Sequence, residues 1–220
     1  MTQPREKSGS DYTYADYLTW PEDERWELID GEAFDMTPAP TTRHQEVLLE
    51  IASQLKISLH GKPCRVFPAP VDVVFPSAAR SEDSAKNVVQ PDVIVVCDPA
   101  KIRDTGIFGA PDLVVEILSP STSSKDHIRK KALYERNGVK EYWLVHPVER
   151  VVVAYRQAPP ASGAKPSFGP AIIQAGSDFK LDVASIPGLS VDFSPIFPEE
   201  KRVVKESPAG YRARKREEKE

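Results

Sequence analysis

The sequence predicts an α/β fold, a central mixed β-sheet flanked by helices, on three observations. Short segments rich in β-branched residues occur at 71–75 (VDVVF), 88–96 (VVQPDVIVV) and 111–118 (PDLVVEIL), with the length and composition of strands. Between Arg43 and His60, apolar residues recur at three and four, at Val47, Leu48, Ile51, Leu55 and Leu59, which is one face of a helix. A second helical stretch from Lys125 to Asn137 separates the third strand from the strand pair EYWLVH and VERVVVAYR, and Gly138 stands where a left-handed cap closes a helix. The middle strands are almost continuously apolar, so they are expected to be covered on both faces, with a helix on each side.

Residues 1–10 are polar and aperiodic and read as a disordered N-terminal tail. Thr13 offers a helix cap and Asp16 an acid three places later, which predicts a short helix ending before Pro21. In RWELIDGEAFDM, Asp30-Gly31 lies between two apolar stretches and signals a hairpin, expected with the short helix as an N-terminal appendage. Pro38 and Pro40 then break the chain before the first long helix. SAARSEDSAK, between the first two strands, has the polarity of a flexible loop. Beyond the strand pair, APPASGAKPSFGP reads as a loop, followed by weaker strands near 171–182 and 189–193. The result is one domain over 11–197 and a charged C-terminal tail over 198–220.

Composition removes several classes. With 40% hydrophobic and 28% charged residues, disorder along the whole chain is excluded. A net charge of -4 argues against a protein that coats nucleic acid through bulk positive charge, but leaves room for a local basic face. Cys64 and Cys97 cannot build a disulfide framework or a four-thiolate zinc site. The start of the chain lacks an apolar signal stretch, and no apolar run reaches the roughly 18 residues that span a bilayer. A cytoplasmic protein with reduced thiols and no membrane partner is expected.

The chemistry is carried by acids inside apolar strands. A carboxylate there is costly unless it is paired, protonated or bound to a cation. Asp72 lies in VDVVF, Asp92 opens DVIVV and Glu116 interrupts LVVEIL. Strand parity groups Asp72 with Val74, Asp92 with Ile94 and Val96, and Glu116 with Val114 and Leu118. If neighbouring strands align Asp92 with Glu116, two carboxylates converge in the oxygen-rich setting that Mg²⁺ or Mn²⁺ prefers, where a bound ion activates water against a phosphate. The helix beginning at Lys125 supplies Lys125, Arg129, Lys130, Lys131 and Arg136 against Asp126 and Glu135. An amine from its first two turns could position or deprotonate the attacking water.

Each residue also has a plainer role. Asp92, following Pro91, can cap a turn, and Glu116 can sit in a buried salt bridge. Lys130 can pair on the surface with Asp126, four residues before it. His44 suits capping or packing at the start of the long helix, with contact to phosphate or to a metal site as the alternative. Glu46 and Glu50 suit solvent exposure, and Asp112 suits a cap. Tyr134, one turn after Lys130, suits the core or orients the lysine, while Tyr142 and Trp143 suit packing. His60, His127 and His146 have no second ligand at zinc spacing.

The strings YTYADYLTWPEDERWELIDGEAFDM, TPAPTTRHQEV, VVQPDVIVV and PDLVVEILSPSTSSKDHIRKKALYERNGVKEYWLVHP resemble the Uma-type restriction-endonuclease family, a branch of the PD-(D/E)XK nuclease superfamily. The likeness covers roughly residues 11–197 and is most specific from Pro111 to Pro147. It implies a restriction-endonuclease-like core and a Mg (or Mn)-dependent endonuclease that hydrolyses phosphodiester bonds, with nucleic acid, expected to be DNA, as the partner. Asp92 of Gln90-Pro91-Asp92 matches the first superfamily acid and Glu116 the second, which implies that both are metal ligands, joined by the backbone carbonyl of Ile117. The superfamily lysine stands two places after the second acid, where this chain has Leu118. DHIRKKALY resembles the family's pattern of Asp, three residues, then Lys, which selects Lys130, with Lys131 as runner-up. Asp72 resembles a further family acid, as a second-metal ligand or a group behind the ligands. The displaced lysine keeps a catalytically inactive nuclease-like DNA-binding or regulatory module as the alternative. An interaction or toxin-associated protein whose carboxylates only stabilise a dimer is the remaining rival. A homodimer is expected by analogy with enzymes that cut both strands of a duplex.

Overall fold

The strands sort into two six-stranded sheets and one two-stranded ribbon. In the computed structural model, which describes residues 11–21, 23–36, 39–76, 81–118, 124–159 and 165–198 (for 124–126 the backbone alone), three helices and fourteen strands are present. They are α1 (Tyr14–Tyr17), β1 (Trp26–Ile29), β2 (Glu32–Asp35), α2 (Thr42–Ser58), β3 (Arg65–Pro68), β4 (Val73–Val74), β5 (Val88–Val89), β6 (Val93–Val96), β7 (Ile102–Arg103), β8 (Gly106–Phe108) and β9 (Leu113–Ile117). There follow α3 (Ser124–Arg136), β10 (Glu141–His146), β11 (Val151–Arg156), β12 (Ile172–Ala175), β13 (Lys180–Asp182) and β14 (Ser190–Asp192). The expected N-terminal tail, nearly all of the C-terminal tail, and parts of the loops after β4 and β11 lie outside the described residues.

The central sheet has six strands in the order β12-β11-β10-β9-β6-β3, and is mixed because β9 and β10 run parallel while their neighbours run antiparallel. β6 and β9 are buried along their whole length, as their apolar composition predicts. One face, through Val93, Val95, Leu113, Val115, Trp143 and Val145, packs on Val47, Leu48, Ile51 and Leu55 of α2. The opposite face, through Ile94, Val96, Val114, Tyr142 and Leu144, packs on Leu133 and Tyr134 of α3. The period of two in the strands thus meets the period of 3.6 in each helix. Truncating a fully buried residue such as Ile51 or Leu55 to Ala would cost about 2–5 kcal/mol. Among the described residues no helix is long and apolar enough to cross a membrane.

The N-terminal elements are not an appendage. β1 and β2 open a second six-stranded sheet, in the order β2-β1-β5-β4-β8-β7, whose Ile29, Val73, Phe75, Val89 and Ile107 share the α3 side of the core. The hairpin forms as its turn residues dictate: Asp30 and Gly31 have φ of 54° and 81°, the two positive values that a two-residue primed turn requires. Thr13 and Asp16 close a capping box on α1.

The segment 88–96, expected as one strand, is two. Val88–Val89 pairs in the second sheet and Val93–Val96 in the central one. Pro91 has no N–H to continue a ladder, and the chain changes sheets across Gln90-Pro91-Asp92. The cysteines also depart from expectation. β3 pairs with β6 so that Arg65 faces Val96, and the next pair outward, Cys64 and Cys97, is joined by a disulfide instead of standing as reduced thiols. With the two cysteines 33 positions apart and β3 unforeseen, nothing in the sequence marked them as cross-strand neighbours.

Candidate active site

The site grows from the register of two strands. In the antiparallel β6–β9 pair, Val93 faces Val115 and Ile94 faces Val114, so one step further Asp92 comes opposite Glu116. Glu116 shares the parity of Val114 and points to the α3 side, where Lys130 and Tyr134 meet it. Asp92 sits just outside the ladder, where its Oδ2 accepts a hydrogen bond from the Ile117 amide at 2.7 Å. His44, buried in the first turn of α2, places Nε2 3.2 Å from the same oxygen. The His44 amide donates to the Thr41 side chain that caps the helix. Burial by itself would lower the His44 pKa, but the hydrogen bond and charge of Asp92, with Glu116 beyond, hold it above the ordinary value.

Glu116 is buried among apolar neighbours, and its Oε1 accepts from Tyr134 Oη at 2.6 Å and from Lys130 Nζ at 3.2 Å. Its pKa is pushed up to about 8: burial dominates, Lys130 opposes it, and Asp92 and Glu27 add to the rise. Burial and the Glu116 charge also raise the Tyr134 hydroxyl, which stays protonated and remains a donor.

Lys130 is only 4% exposed, so the plainer alternative of a surface ion pair is not its setting. Its Nζ lies 2.8 Å from Glu27 Oε1 as well as 3.2 Å from Glu116. The Asp126 side chain, its partner in that alternative, lies outside the described residues. Glu27, buried on β1, is the residue that sequence reasoning missed. Its Oε1 also accepts from the Gln90 amide at 2.9 Å, tying the hairpin to the link that carries Asp92. The signal was available, because Glu27 is an acid within the apolar string Trp26, Glu27, Leu28, Ile29, the same pattern that drew attention to Glu116.

The other candidates fall elsewhere. Asp72 Oδ1 accepts from Tyr17 Oη at 3.0 Å and Gln90 Nε2 at 2.8 Å, and Arg25 donates to Gln90 Oε1 at 3.0 and 3.1 Å. Asp72 thus meets the site through Gln90 and not by touching Asp92 or Glu116. Lys131 turns to the aromatic rings of Tyr155 and Phe168, 4.8 and 5.8 Å from their centroids, so of the two lysines Lys130 is the one the fold brings to the acids. Arg129 pairs with Glu32, and Arg136 with Asp30. Asp112 binds the Cys97 amide at 2.7 Å and Lys140 at 2.6 Å at the far end of the strands. Glu46 is exposed, Glu50 half-buried beside Gln54, and Tyr142 and Trp143 are fully buried packing residues.

Among the described residues, no three side chains of His, Cys, Asp and Glu come together as a metal-binding group. Mg²⁺ is commonly held by one or two carboxylates and keeps several waters. Asp92 and Glu116 are hard oxygen donors on facing positions, and the Ile117 backbone joins them. Burial holds the Glu116 carboxyl up, with Lys130 opposing the rise and Asp92 and Glu27 adding to it, so a cation beside it would favour its charged form. The residues present fit the ion.

A family model described as "Uma2: Putative restriction endonuclease" matches residues 14–186. A curated relative, the "Uncharacterized protein slr1290" of Synechocystis, is 29% identical over 132 residues, which is 59% of this chain and 65% of that protein, just under two thirds of its length. A crystal structure from Anabaena variabilis, described as a putative nuclease belonging to DUF820, superposes with a TM-score of 0.65 at 21% identity, over 84% of this chain and 97% of that one. The last likeness is one of fold.

Proposed function

Because the chain belongs to the Uma2 restriction-endonuclease family, we propose that it is a Mg²⁺- or Mn²⁺-dependent endonuclease that hydrolyses phosphodiester bonds in DNA. The observation that carries this reading is the β6–β9 register, which faces Asp92 with Glu116 while Lys130 reaches Glu116 from α3. Asp92, Glu116 and the Ile117 carbonyl would hold the ion. Bound there, the ion would supply positive charge to the phosphate and acidify a coordinated water.

In hydrolysis a water oxygen bonds to phosphorus as one P–O ester bond breaks, the water losing a proton and the departing oxygen gaining one. Lys130 orients that water and opposes the charge that builds on the phosphate. The Ile117 amide and His44 hold Asp92 in place, and Tyr134 does the same for Glu116. The net charge of -4 is compatible with this local role, since the acids of the site contribute to the total. A homodimer belongs to the same proposal, because breaking both strands takes two such sites, and light scattering checks it.

The test is cleavage of supercoiled, linear and single-stranded DNA with Mg²⁺, Mn²⁺ or EDTA. The parent is expected to cut only with the ion, and Asp92→Ala and Glu116→Gln to abolish cutting. Binding without cutting in every metal would favour the inactive nuclease-like module instead. Cleavage that survives in both variants would overturn the site assignment.

A further inference from the structure

We infer that Glu27 is a positioning residue for the reaction, acting through Lys130: it fixes where the lysine amine stands relative to Asp92 and Glu116. The inference rests on the nuclease reading. Lysine is a flexible four-carbon chain ending in a compact charge, and left to itself it samples many positions. Here its Nζ stands 2.8 Å from Glu27 and 3.2 Å from Glu116, so the shorter contact is to the acid outside the proposed ligand pair. Both partners are nearly fully buried, with side chains 5% and 4% exposed, so this is not a screened surface pair.

Three separate parts of the fold meet at that amine: Lys130 from α3, Glu116 from the central sheet and Glu27 from the second sheet. Glu27 is itself anchored by the Gln90 amide at 2.9 Å, two residues from Asp92. The lysine is therefore referenced to the same backbone link that places the first acid. Charge gives a second reason. Asp92, Glu116 and Glu27 carry three negative charges when ionised, which a divalent cation and the Lys130 ammonium balance. Without Glu27, the ammonium and the cation would share two carboxylates and repel each other across them.

A salt bridge that serves folding alone would have the same contacts, so the test isolates action through Lys130. Glu27→Gln, Lys130→Met and the double variant are compared in a double-mutant cycle. On the parent background Glu27→Gln is expected to lower kcat about tenfold or more, with KM and Mn²⁺ affinity by calorimetry within about twofold of the parent. On the Lys130→Met background the same change is expected to alter the residual rate by less than about twofold. Glu27→Asp, which keeps the charge, is expected to recover part of the loss. Equal losses on both backgrounds, or a loss confined to KM, would overturn the inference.

A second arm does not need turnover. Urea midpoints of the four proteins in EDTA are expected to be non-additive, because Lys130→Met leaves Glu27 a buried charge without this cation and Glu27→Gln leaves the buried ammonium without its nearer acid. Additive midpoints would overturn the inference. A parent that cuts no nucleic acid with either metal would overturn the nuclease reading, and the unfolding cycle would then decide alone whether Glu27 holds Lys130.

Discussion

The amide of Ile117 donates to Asp92 Oδ2 at 2.7 Å, so the backbone of one acid-bearing strand holds the carboxylate of the other. Through this bond Asp92 has a structural and a chemical duty, and two substitutions separate them. Asp92→Asn keeps an acceptor for the amide and removes the charge, and is expected to weaken Mn²⁺ binding at least about tenfold by calorimetry while stability changes little. Asp92→Ala also orphans the buried amide, which costs about 1–3 kcal/mol in denaturant unfolding. Equal stability of the two variants would show that the amide bond is dispensable.

Metal-free protein is expected to lose stability as pH rises through the neutral range. Glu116 titrates at about 8 in the fold against an ordinary 4.5. Below 4.5 both folded and unfolded states hold the proton; between 4.5 and about 8 the unfolded chain releases it while the folded site retains it. Unfolding free energy therefore falls with pH across that window and levels above it. Urea unfolding in EDTA at a series of pH values checks the slope, which Glu116→Gln should remove.

Tyr134→Phe takes away the 2.6 Å donor to Glu116 at a position with no solvent to replace it. The expected loss is about 1–3 kcal/mol, read from denaturant midpoints in EDTA. An unchanged midpoint would mean that Glu116 finds a substitute partner.

Gly31→Ala is expected to cost about 1–2 kcal/mol although the position is remote from the chemistry. Gly31 has φ of 81°, and a Cβ there would lie 3.1 Å from the Asp11 backbone. Since the hairpin carries Glu27, the variant should also lose catalytic rate at temperatures well below its unfolding midpoint. A rate that tracks only the folded fraction would uncouple the turn from the site.

Much of this arrangement is legible in the sequence because its signals are local. α2 shows its apolar stripe from Val47 to Leu59, Gly138 stands at positive φ just past the end of α3 at Arg136, and the hairpin declares its turn at Asp30-Gly31. Glu116 stands out because a charge in a fully buried strand has few explanations. What stayed hidden depends on partners far along the chain. Val88–Val89 and Val93–Val96 have the same composition, so nothing local says that they join different sheets. β3, with Arg65 and Pro68 at its ends, and the short β7–β8 pair lack a strand's usual run of apolar residues. Glu27 carried the same signal as Glu116, but a hairpin taken for an appendage gave no reason to bring it to the centre. For Lys130 a surface role stayed open beside the one the family pattern implies, because Glu27 and Glu116, which it meets in the fold, lie 103 and 14 residues away.

The three-residue link Gln90-Pro91-Asp92 leaves this part of the chain without slack. Val89 is pinned to Val73 in one sheet and Val93 to Val115 in the other, with a proline between them. One inserted residue would have to bulge out of the link or slip one strand, and a slip of one residue turns every side chain of that strand to its opposite face. Length, as much as residue identity, is therefore under constraint here: single-residue insertions between Val89 and Val93 should abolish metal binding even where the added residue is glycine.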